Sequence, residues 1–151
     1  MKEFNNVNDI LDFAIDEEQK AMDFYRDLAK TAKSDDMREA FEGFAQEELG
    51  HKTKLIQVKE TGIMEGSQEK VADLKIADFS VNVKATPDMT YQEALVLAMN
   101  KEKAAFKLYT TLSERVNDES LKELFLGLAL EESKHKLRFE LEYDEFVLRE
   151  N

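Results

Sequence analysis

Glu47-Glu48-Leu49-Gly50-His51 and Glu131-Glu132-Ser133-Lys134-His135 contain the only two histidines of this 151-residue chain, and each histidine follows a glutamate by three residues. Thirty residues before Glu48 stands Glu18, and thirty before Glu132 stands Glu102, so the whole pattern recurs with an offset of 84. The offset belongs to a longer repeat: residues 11–56 set against 95–140 give 14 identities in 46 positions. A duplication copies spacing whether or not chemistry depends on it. What decides is where the retained polar residues fall on their helices.

Apolar residues alternate at spacings of three and four, the period of an amphipathic helix. The first stripe is Leu11, Ala14, Glu18, Ala21, Tyr25 and Leu28, and the third repeats it as Leu95, Ala98, Glu102, Ala105, Tyr109 and Leu112. The second runs Met37, Phe41, Phe44, Glu48, His51, Leu55, Val58, and the fourth Leu121, Phe125, Leu128, Glu132, His135, Phe139. All six Glu and His residues therefore lie on core seams, while Glu17, Asp23, Lys101 and Lys107 take the opposite face. Four carboxylates in a helical core cost several kcal/mol each unless something neutralises them. Two divalent cations balance four glutamates with both histidines neutral. Ala14 and Ala21 around Glu18, and Ala98 and Ala105 around Glu102, leave room for ions.

Residues equidistant from a hairpin turn lie at one height, which gives a geometric check. The midpoints between ligands fall at Lys33–Ser34 and at Asn117–Asp118, inside turn sequences where Ser34 and Asp118 are N-caps followed by acids. Four helices are expected, over about 8–33, 34–60, 90–115 and 118–149, with Thr90 and Glu93 forming a capping box. Five glycines and one proline suit such a chain. A connection of roughly thirty residues separates helices 2 and 3, with a small amphipathic helix expected over Val71–Phe79 and extended chain at Val81–Val83. Its length fits a crossover between helices that point the same way.

Composition narrows the function. With no cysteine, disulfides, Fe–S clusters and thiolate-bound iron are excluded. A net charge of −12 argues against a nucleic-acid partner and concentrates cations around the chain. No run approaches a membrane span and the first residues hold no apolar signal region, so no membrane partner and a cytoplasmic location are expected.

On these residues the chain resembles the ferritin-like diiron carboxylate superfamily, and within it the rubrerythrin-like family lacking the rubredoxin domain. The resemblance covers nearly the whole chain. It implies an all-α, ferritin-like four-helix bundle with one long crossover between helices 2 and 3, as a single diiron domain over 1–151. It also implies two iron ions as cofactor, with Glu18 and Glu102 as terminal ligands, Glu48 and Glu132 bridging, and His51 and His135 each binding through one ring nitrogen. Nitrogen and oxygen donors of this mix also admit Mn or Zn. Rubrerythrins carry a further carboxylate three residues from the helix 3 ligand, where this chain has Met99 and Ala105. The symmetric set of six looks more like the ferroxidase centre of bacterioferritin.

The expected function is that of a non-haem diiron oxidoreductase reducing hydrogen peroxide or dioxygen, with electrons from an external donor. The alternative is a non-catalytic protein that binds or buffers iron or another divalent ion. An oxygenase acting on an organic substrate is a third reading. Tyr25 and Tyr109, two turns from Glu18 and Glu102, are candidates for a catalytic role as hydrogen-bond donors or electron carriers, and core packing explains them equally well. Glu47 and Glu131, four residues before each histidine, are rival ligands off the seam. A homodimer is the expected assembly.

Overall fold

Three residues separate the members of each helical hairpin, and local chemistry sets both turns. The computed structural model describes residues 7–62, 81, 86 and 88–150, and the regular structure among them is α-helical throughout. The helices are α1 (Val7–Thr31), α2 (Asp35–Thr61), α3 (Tyr91–Arg115) and α4 (Glu119–Glu150). The repeat is written into these bounds: α1 and α3 are both 25 residues long and start 84 positions apart, as do α2 and α4. The chain divides into two compact units, Met1–Ile76 and Ala77–Asn151.

In the first unit Ser34 stands in extended backbone, and its hydroxyl accepts the Met37 N–H at 3.2 Å. Asp35 and Asp36 follow in the first turn of α2, where the positive end of the helix dipole favours them. The other end of α2 closes on Gly62 at φ 68°, whose N–H bonds the Lys59 carbonyl at 3.3 Å. That left-handed conformation is one that a Cβ would strain. Lys52 donates to Gln19 at 2.7 Å, and Lys59 pairs with Asp12. Seven residues forward on α2 answer to seven back on α1, so the two helices run antiparallel.

In the second unit the Thr90 hydroxyl accepts the Glu93 N–H at 3.1 Å, while the Thr90 N–H donates to Glu93 Oε1 at 2.9 Å, the reciprocal capping box read from the sequence. The Thr90 N–H, then its hydroxyl, holds the Glu93 carboxyl below its ordinary 4.5. Asp118 caps α4, accepting the Leu121 N–H at 3.0 Å. Near the far end of α4 the Tyr91 hydroxyl donates to Glu142 at 3.0 Å and the Gln92 amide to Tyr143 at 3.2 Å. The start of α3 therefore packs against the end of α4.

The four apolar stripes lie inward as expected, with Ala21, Phe44 and Ala105 half-buried and every other member buried. Asp23 and Lys107 are exposed, and Glu17 and Lys101 half-buried. The small helix expected over 71–79 lies outside the described residues, as do most of the extended stretch at 81–83 and most of the connection that would form the crossover. No helix among the described residues is long and apolar enough to cross a membrane.

Candidate metal centre

Each unit brings one imidazole to two carboxylates. In the first, α1 supplies Glu18 and α2 supplies Glu48 and His51, the last two on one face because three residues make nearly a helical turn. His51 Nδ1 lies 3.5 Å from Glu18 Oε2 and 3.8 Å from Glu48 Oε2. In the second unit α3 supplies Glu102 and α4 supplies Glu132 and His135, with His135 Nδ1 3.6 Å from Glu102 Oε1. Within each triad the donor atoms lie within 4.8 Å of one another.

These separations test whether a metal fits. They exceed the 2.7–3.2 Å of a good N–H···O hydrogen bond. Donors arranged around one ion at about 2.0–2.2 Å each stand roughly 3.0–3.6 Å apart, depending on coordination angle. The 3.5 and 3.6 Å separations fall in that second range, and the 3.8 Å one lies just beyond it. All six residues are between 1 and 5% exposed, and Glu18 Oε2, Glu48 Oε1, Glu102 Oε2, Glu132 Oε1 and both Nδ1 atoms are closed to water. Each triad carries two negative charges, the complement of one divalent ion with a neutral imidazole. Oxygen and nitrogen donors of this mix suit iron, manganese and zinc alike.

The rival ligands differ between the units. Glu47 is exposed, whereas Glu131 is half-buried and pairs with Lys134 at 3.6 Å. Tyr25 and Tyr109 are 0 and 1% exposed. The Tyr25 ring meets Phe44 edge-on at 6.0 Å, and Tyr109 stacks on Phe125 at 6.4 Å. Seven residues place each tyrosine about 10 Å along the helix axis from its glutamate. Sequence reasoning passed over Glu142, which is 4% exposed and bonded to Tyr91. Its signal was available, since it stands seven residues beyond His135 on the same seam.

A family model described as Rubrerythrin matches residues 9–87 and 93–151, a span that includes all four helices and both triads. That family is a branch of the ferritin-like diiron superfamily, and with it comes the all-α, ferritin-like four-helix fold that the sequence implied. Searches of curated proteins and of solved structures returned no match.

Proposed function

The chain belongs to the rubrerythrin family, and from that premise we propose that its two Glu-Glu-His triads bind two iron ions and that the loaded protein reduces hydrogen peroxide or dioxygen. Electrons come from a separate donor, because a chain without cysteine holds no thiolate-bound iron of its own. The observation that carries the reading is the burial of Glu18, Glu48, Glu102 and Glu132 beside His51 and His135. Four carboxylates closed off from water destabilise the core unless cations neutralise them. When bound, an iron pair supplies the two electrons that reduce a peroxide O–O bond.

The chain's own residues would contribute holding, orientation and exclusion of water. Glu18 and Glu102 approach from the first helix of each hairpin, and the paired Glu and His from the second. Each imidazole would bind in its neutral form, with Nδ1 facing the carboxylates. Phe41 and Phe125, both fully buried, keep the surroundings apolar. Tyr25 and Tyr109 stand too far along their helices to be ligands in this reading and serve as electron carriers.

A second reading shares the same ligands: a binding or buffering protein for iron or another divalent ion, favoured by a donor set that does not discriminate among Fe, Mn and Zn. One experiment separates the two. Protein loaded anaerobically with Fe(II) is mixed with hydrogen peroxide in a stopped-flow instrument, after elemental analysis of the bound metal. Two irons per chain and rapid oxidation are expected. An unchanged spectrum with metal in place would leave the buffering role, and failure to bind two ions would remove both.

A further inference from the structure

The outer side of α3 carries the opposite charge to its copy on α1. Between Ile10 and Ala29, leaving Glu18 aside, stand five acids and two bases. The matching stretch of α3, Ala94 to Ser113, holds no acid besides Glu102 and three bases, Lys101, Lys103 and Lys107. Their counterparts are Glu17, Gln19 and Asp23. In a chain of net charge −12 such a stretch stands apart, and a local positive field gathers anions.

These lysines border a cleft. Lys103 and Phe106 of α3, with Ser133 and Lys136 of α4, line an opening of about 320 Å³, at the lower end of the range for small-molecule sites. Phe106 is 42% exposed, and Leu130 and Leu137, one turn either side of Ser133, are 56 and 57% exposed. The same four lining positions in the first hairpin are Gln19, Met22, Leu49 and Lys52. There Lys52 donates to Gln19 at 2.7 Å and Met22 is 5% exposed, so the polar groups satisfy each other and the apolar one is covered. In the second hairpin Lys103 takes the place of that acceptor, and Ser133 in place of a leucine leaves the cleft open. Lys136 pairs instead with Glu140 at 3.2 Å, a partly exposed i,i+4 contact that costs little to part. A surface that forgoes closure for two ammonium groups and an exposed ring is complementary to something outside the hairpin.

We propose that this cleft binds a small aromatic phosphate, with the phosphate between Lys103 and Lys136 and the ring against Phe106. Two ammonium groups match the near-dianion of a phosphate monoester, whereas a carboxylate balances only one. Aromatic rings pair offset or edge-on with a flat partner, and Leu130 and Leu137 flank the same opening with apolar surface. Ser133 adds a hydroxyl donor. Lys103, Ser133 and Lys136 directly follow Glu102, Glu132 and His135, so the ligand sits on the outer side of the hairpin at the height of its triad without touching a metal ligand.

Flavin mononucleotide is the probe, because it joins a flat ring to a phosphate and reports binding through its fluorescence. Titrated with the full chain at low salt, it should bind once per chain and about tenfold more tightly than riboflavin, which has the ring alone, tenfold being roughly one charge-assisted hydrogen bond. Inorganic phosphate at equal concentration should not displace it. Lys103→Gln with Lys136→Gln should bring the two flavins to equal affinity. Phe106→Met with Ser133→Leu, which installs the residues of the first hairpin, should abolish binding of flavin mononucleotide, with helical circular dichroism unchanged in both variants. No binding by the wild type, equal affinity of the wild type for the two flavins, displacement by phosphate alone, or undiminished binding in either double variant would overturn the proposal.

Discussion

The two hairpins begin as copies and differ in what they do beyond their triads. Both turn through three residues capped by Ser34 or Asp118, and both bury a glutamate on the first helix and Glu-x-x-His on the second. Where hairpin two has Glu142, bonded to Tyr91, hairpin one has the buried Val58. Where α4 has exposed leucines, α2 has Glu42, Gln46, Thr53 and Gln57. A polar set kept in both halves while its surroundings diverge points to a shared requirement, which in the proposed function is a cation. The features present once, the Tyr91–Glu142 bond and the exposed leucines of α4, are not part of that set.

If the triads are equivalent, breaking either should have the same large effect. His51→Ala and His135→Ala are each expected to lower bound iron from two ions to one per chain and to abolish rapid oxidation by peroxide. Elemental analysis and stopped-flow absorbance report this, and two ions retained in either variant would contradict the ligand set.

Replacing Glu18 and Glu102 together by leucine removes one buried charge from each hairpin. The apoprotein should be at least as stable as the wild type, with a gain of up to about 4 kcal/mol, while the stabilisation that added iron gives the wild type is lost. Urea unfolding with and without metal measures both, and a less stable apoprotein would show that these carboxylates serve the fold.

Tyr91→Phe tests the feature that hairpin one lacks. Loss of one hydrogen bond to a charged group predicts a destabilisation of about 1.5–3 kcal/mol, with iron stoichiometry unchanged. A shift in metal content would join Glu142 to the metal chemistry instead.

The smallest expected effect is at the cap of α3. Thr90→Ala should cost about 1 kcal/mol. It should also flatten a pH dependence with a defined sign. Because the folded Glu93 carboxyl lies below its ordinary 4.5, its contribution is complete above that value and is lost as pH falls through the lowered one. The gap between the two proteins' thermal melts should narrow towards the low end of the acid range without closing, because the hydroxyl that accepts the Glu93 N–H is missing at every pH.

The fold and the inward residues were legible because burial and helical period leave a direct trace: a glutamate in phase with Leu11, Ala14 and Tyr25 has to face where they face. The caps at Ser34, Thr90 and Asp118 were legible for a similar reason, since short polar side chains before an acidic turn have a local structural use. Tyr91 and Glu142 were not, because 51 residues separate them and a hydrogen bond across a hairpin leaves no local pattern. The outer leucines of α4 were hidden by the inner seam, which accounted for the helix on its own. Comparing each with its counterpart on α2 would have exposed them.

The short turns also bear on how the chain reaches this state. Gln19 and Lys52, 33 residues apart, meet as soon as one hairpin closes, and so do Glu102 and His135. Such local pairings form on fast timescales. Closure is expected to gather two acids around an imidazole early, and their mutual repulsion to slow the step unless a cation arrives with it. Divalent ions present during refolding are therefore expected to quicken the chain's collapse, which stopped-flow circular dichroism with and without metal would measure.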